Sequence, residues 1–140
     1  MSELLKLEEL PGYLKDKDAD YFKILFDSID EIKRKEYVGD TSLVGGVFLI
    51  TEEDGVVNQF HNICYELRLV VVFDWMNWEV GIDMLDDNNA TLEGLSIIDY
   101  CKLITVALRG HRLSEGYLVR LFKEGRILKL LLGMKTALET

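Results

Sequence analysis

Arg109, His111, Arg112 and Glu115 fall within one short stretch of the last third of the chain. Two guanidiniums, an imidazole and the N-terminus of a following helix together suit a phosphate or a carboxylate. The same residues also have a structural use. Arg109 can sit against the C-terminal carbonyls of the helix it closes. Arg112 can pair with an upstream acid, either Asp74 or one of the Asp83–Asp87 group. Structural ion pairs are common and resemble sites, so the internal tie is the simpler reading. Trp75 and Trp78, three apart, would share a helical face. They suit a groove or an interface, although an indole pair of this kind is more commonly core.

Metal chemistry has little support. His61, Cys64, Cys101 and His111 are the conceivable soft ligands, but they lack the paired spacing of a closed tetrahedral site. Asp83, Asp86 and Asp87 lack the regular spacing and the glycine of a calcium loop and read as a solvated acidic loop. No phosphate loop, nucleophile elbow, zinc-protease or dinucleotide fingerprint occurs. No metal, cofactor or catalytic residue is therefore assigned, and the chain leans away from being an enzyme.

The element that must position these residues is a helix near 97–109. Ser96 can cap it. Asp99, Lys102, Thr105 and Arg109 form one narrow polar stripe on an otherwise apolar rod. A rod apolar nearly all round is enclosed by its neighbours, so this is the central buried helix. Gly110 suits its left-handed end. Ser114 and Glu115 suit the start of the next helix, whose Tyr117, Leu118, Leu121 and Phe122 repeat at helical spacing while Arg120, Lys123 and Glu124 face away. Gly125 ends or kinks it. Ile127, Leu130, Leu131, Met134 and Leu138 form one stripe on the last helix, with Arg126, Lys129 and Lys135 off its centre.

Upstream, residues 2–10 suit a short helix ended by Pro11-Gly12. Asp18 or Asp20 caps a helix to about Lys35, with Phe22, Leu25, Phe26, Ile29 and Ile32 on its apolar face. Gly39-Asp40-Thr41 signals a turn, and residues near 46–50 suit one short extended segment. Val57, Phe60, Cys64 and Leu67 repeat as a helical face. Val70 to Phe73 is a β-branched run that reads as strand, but Asp74 can cap a helix through Trp75 and Trp78.

The 140 residues fit one domain, 1–140, and the expected fold is all-α: a compact bundle of about six helices. The single proline, Pro11, favours uninterrupted helices. No apolar run is long enough to span a membrane, and the acidic amphipathic start does not read as a signal peptide. Cys64 and Cys101 read as free thiols of a cytoplasmic protein. The chain carries 16 basic and 25 acidic residues, a net −9. Residues 101–140 hold 8 Lys and Arg against 3 Glu, a net +5, which leaves −14 for residues 1–100. That asymmetry suits basic helices packed on an acidic half better than a free-standing nucleic-acid binder, which is usually basic as a domain.

Two stretches resemble a widespread bacterial family, a domain of unknown function. One is an aromatic helical segment, Phe60 to Leu67, followed by Phe73-Asp74-Trp75-Met76-Asn77-Trp78. The other is Ile104-Thr105 through Arg109, then Arg112-Leu113-Ser114-Glu115-Gly116 and Gly125-Arg126-Ile127. The chain has His111 where the family tends to have Asp, and Leu113 where it tends to have Phe, so an acid-dependent role at that point does not carry over. The resemblance implies a mostly helical fold, with helix around Trp75, and no known activity.

Three functions remain in competition. The first is a protein-interaction module, with a protein partner or self-association. The second is a nucleic-acid binder presenting Arg120 and Lys123 from a helix-turn-helix-like outline, Tyr100 to Arg120. The third is a hydrolase or nuclease using the Asp loop or the Arg109/His111/Glu115 cluster.

Overall fold

The helix expected near 97–109 spans Ile97–Leu113 and is the centre of the structure. The computed structural model describes residues 4–40, 55–87, 89–113 and 116–139, excepting the side chains of 34–40 and 111–113. In chain order the elements are β1 (Leu5–Lys6), α1 (Leu10–Leu14), α2 (Lys23–Asp40), α3 (Gly55–Glu66), β2 (Val71–Val72), α4 (Glu79–Asp86), α5 (Ile97–Leu113), α6 (Tyr117–Lys123) and α7 (Arg126–Glu139). Short 3-10 turns at Leu7–Glu9, Ala19–Phe22 and Trp75–Asn77 join them. The fold is all-α apart from one parallel pairing of two short strands, Leu5 opposite Val71 and Lys6 opposite Val72.

α5 starts where its cap is: the Asp99 N–H donates to the Ser96 hydroxyl at 3.1 Å. From Tyr100 to Leu108 only Lys102 reaches the surface, and then only in part. α4, α6 and α7 pack on α5, with β2 and the Trp75–Asn77 turn on a further side. α2 packs on α3 and α7. Phe22, Leu25, Ile29 and Ile32 of the α2 region, Val57, Phe60 and Cys64 of α3, and Leu130, Leu131 and Met134 of α7 are buried, as their spacing required. Phe60 meets Phe122 of α6 edge to face at 5.5 Å.

Several local expectations are corrected. Residues 2–10 do not form one helix. Leu5–Lys6 pairs as a strand, and Pro11 lies in the first turn of α1 instead of ending a helix, where its missing N–H leaves no bond unmade. Asp18 caps the Ala19–Phe22 turn by accepting the Asp20 N–H at 3.0 Å, and α2 then runs to Asp40, past Lys35 and through the expected turn at Gly39. Asp83 and Asp86 lie on α4 and not in a loop. Gly110 is not a terminus: α5 continues to Leu113, and Gly110 is buried because the Tyr117 ring lies 2.8 Å from where its Cβ would be. The bundle of about six helices is borne out, with seven α-helices among the described residues. The extended segment near 46–50 and the cap at Ser114 lie outside the described residues.

α3 ends in a Schellman turn. The Leu69 N–H returns to Cys64 O at 3.0 Å and the Arg68 N–H to Tyr65 O at 3.1 Å. Arg68 holds the left-handed position, φ 62°, which glycine usually takes. The turn drops Leu69, Val70 and Val71 straight into the core.

α7 crosses the loop before α5 at Gly133. A Cβ there would lie 2.4 Å from the Tyr100 hydroxyl and 2.5 Å from Leu92 O. That hydroxyl donates to Leu92 O at 2.7 Å and so pins the loop to α5. Gly133→Ala should destabilise the fold by about 1–3 kcal/mol in urea unfolding, because overpacking against backbone outweighs alanine's better helix propensity. A stabilised variant would contradict this contact.

Cys64 and Cys101 are free and buried. Burial raises both thiols, Cys101 to about 12 from a usual 9.0, and the neighbouring Cys101 adds to the rise at Cys64. Above pH 9 the unfolded chain releases these protons and the fold retains them. Stability should therefore fall as pH rises from 9 toward 12. Thermal melts of wild type and of Cys101→Ala across that range check this, the variant showing the shallower decline.

Candidate functional site

The polar stripe of α5 proves to be the strip that holds the aromatic turn. β2 lies across it, and the buried Val71 N–H donates to the Thr105 hydroxyl at 3.0 Å. That hydroxyl in turn donates to Cys101 O at 2.9 Å. One turn back along α5, the Lys102 ammonium sits 4.1 Å from the centre of the Trp78 ring and 5.3 Å from that of Phe73. Phe73 and Trp78 meet edge to face at 5.8 Å. The two rings form an aromatic cradle around one cation.

Between them the backbone winds tightly. The Trp75 N–H returns to Phe73 O at 2.8 Å, and the Trp78 N–H to Trp75 O at 3.1 Å. Asp74 does not cap a helix with its side chain; its carboxylate accepts the Asn77 amide at 2.7 Å and closes the turn from outside. Helix around Trp75 is thus a single 3-10 turn, and α4 begins at Glu79. Trp78 then folds over the start of α4, 2.3 Å from where a Gly81 Cβ would stand, so only glycine fits beneath the ring. Trp75 and Trp78 are half-buried against the core, which combines the two readings open from the sequence.

What this winding turns outward is apolar. Val72, Met76 and Val80 are 53%, 60% and 68% exposed. Asp74, Glu79 and Asp83 of the same stretch are exposed as well, and so is Lys6, which lies opposite Val72 in the strand pair.

The far end of α4 is held by the basic helices. Asp86 accepts both the Tyr117 hydroxyl and the Arg120 guanidinium at 3.1 Å. Arg120 also reaches Glu124 at 3.4 Å and stacks over the Tyr117 ring. Burial, and then the Asp86 charge, raise the Tyr117 hydroxyl above its ordinary value. Arg120, expected to face a groove, is therefore the residue that ties the acidic group to the C-terminal helices. The fully buried Arg126 caps α4: Nε donates to Leu85 O at 3.1 Å and Nη2 to Met84 O. Burial lowers its pKa, while Asp87 and Glu124 oppose that shift.

The sequence places Arg126 off the centre of the last stripe and marks neither it nor Val72, Met76 or Val80 as a site residue. A cation in the first turn of a helix opposes the helix dipole, and that was the one signal that Arg126 serves another element.

Arg109 is half-buried on α5 and makes no ion pair among the described residues. The side chains of His111 and Arg112, and all of Glu115, lie outside the described residues. Of the upstream acids expected to pair with Arg112, Asp74 accepts the Asn77 amide and Asp86 accepts Tyr117 and Arg120, while the pairing with Arg112 itself lies outside the described residues. Among the described residues no three His, Cys, Asp or Glu side chains gather as metal ligands, and no helix is long and apolar enough to cross a membrane.

The model of a family of unknown function, DUF6508, matches residues 20–140. No curated protein and no solved structure matches the chain.

Thr105→Val, which keeps shape and removes the hydroxyl, should cost about 1–3 kcal/mol in urea unfolding, since it strands the buried Val71 N–H. Thr105→Ser should cost less than the valine variant. Equal costs would show that the hydroxyl does not hold β2.

Proposed function

Because the chain belongs to the DUF6508 family, whose function is unknown, we propose from its own surface that it is a protein-interaction module. The docking face is the outward side of residues 72–80. The observation that carries this reading is the exposure of Val72, Met76 and Val80 together, each more than half open to water. Single exposed apolar residues are ordinary. Three in one short stretch, backed by half-buried tryptophans, have the composition of an interface centre.

The face is mounted on a rigid base. Lys102 and Thr105 hold the turn, and Arg126 and Arg120 hold the far end of α4. A preorganised face loses less freedom on binding than a mobile one. The Phe-Asp-Trp-x-x-Trp stretch, on this reading, is the family's common part of that base. We place the protein in a reducing compartment, the cytoplasm, since both cysteines are free, and read residues 1–140 as one domain. The nucleic-acid alternative loses support, because Arg120 is already engaged by Asp86 and Glu124.

Met76→Asp with Val80→Asp should change stability by no more than about 0.5 kcal/mol, as both side chains are exposed. The double variant should lose the proteins captured by wild type from the native cell, while Asp30→Lys on α2 retains them. Identical capture by all three, or a monomer that captures nothing, removes the reading.

A further inference from the structure

We propose that the cleft between α7 and the loop before α5 binds a short peptide with both termini free, its carboxylate meeting Lys129 and its ammonium meeting Glu93. The site is separate from the face at residues 72–80 and does not depend on the reading of that face. The cleft measures about 920 Å³, within the range of sites that hold drug-sized ligands. Residues 89–94 form one wall, and Lys129, Leu132, Gly133 and Thr136 of α7 form the other. Lys129 and Gly133 are four apart on the helix, and Gly133 and Thr136 three apart, so all three share one face. Gly133 is the floor, where a Cβ would lie 2.4 Å from the Tyr100 hydroxyl and 2.5 Å from Leu92 O.

The loop wall is held in place without a ligand. The Tyr100 hydroxyl donates to Leu92 O at 2.7 Å, the Asn89 N–H to Asp87 at 2.9 Å, and the Glu93 N–H to the Thr91 hydroxyl at 3.1 Å. A preorganised wall loses less freedom on binding. Among the described residues, the charged side chains that line the cleft are Lys129 and Glu93, one on each wall, and neither is in an ion pair. Burial raises the Tyr100 hydroxyl, the Leu95 N–H opposes that, and the Glu93 charge adds to the rise. That carboxylate therefore lies near the floor at Gly133. A ligand of one sign would meet its own sign on one wall, whereas a ligand carrying both is matched on each. The Thr136 hydroxyl donates to Leu132 O at 3.0 Å, which leaves its lone pair for a peptide N–H. Leu132, 37% exposed, offers apolar surface to a peptide side chain.

The probes are alanyl-leucyl-alanine, its N-acetyl form and its C-terminal amide, each titrated calorimetrically into the full chain. The free peptide should bind, and each blocked form should bind more weakly by about fivefold or more. Lys129→Met should weaken the free peptide by a similar factor and erase the difference between acid and amide. Glu93→Gln should erase the difference between free amine and acetyl form instead. Both side chains are exposed, so each variant should fold as wild type does.

Equal binding of the three peptides, unchanged discrimination in both variants, or no heat from any peptide at about 1 mM overturns the inference. Free leucine binding as tightly as the tripeptide overturns the peptide as occupant. Met76→Asp with Val80→Asp should leave the titrations as they are. A loss there would move the binding to residues 72–80 and overturn the cleft as its site.

Discussion

An extended segment pressed against a helix presents backbone groups that the helix backbone cannot meet, because the helix uses its own carbonyls internally. α5 is enclosed on nearly every side, and Thr105 is fully buried within it. Its hydroxyl answers the Val71 N–H while returning its own proton to Cys101 O. A buried N–H left without a partner costs about 1–3 kcal/mol, enough to fix how β2 lies. Successive strand side chains point to opposite faces. With Val71 turned into the core, Val72 must turn out, and a slip of one residue would exchange them. The exposure that opens the apolar face thus follows from one hydroxyl on the helix beneath it.

Beyond β2 the constraints act on α4, which is short and could not hold its position by propensity alone. At its start Trp78 covers Gly81, and at its end the Arg126 guanidinium meets Leu85 O and Met84 O. The helix dipole makes that end negative, so the same cation is favoured twice, by charge and by hydrogen bonding. Burying a guanidinium is unfavourable, and burial does lower the Arg126 pKa. Asp87 and Glu124 work against that. Arg120 adds an outer tie to Asp86, which being half-exposed contributes no more than about 1 kcal/mol. The inner contact, not the visible ion pair, fixes the helix.

Helical spacing was enough to find α3, α6 and α7, because each carries a continuous apolar stripe, and α5, because it is apolar nearly all round. Ser96 and the burial of the central rod were readable for the same reason. The N-terminal segment was not. Leu4, Leu5 and Leu7 suit a helix locally, and the pairing of Leu5 with Val71 across the chain outweighs that preference. Gly110 misled because glycine serves both as a helix end and as a place of close approach, and the Tyr117 ring that decides between them lies on another element. Of the candidate site, the tryptophans, Asp74 and the acidic group were legible by type. Their partners were not: Lys102 and Thr105 read only as members of a narrow polar stripe, and Arg120 as facing away. Pairings between distant residues leave no periodic trace.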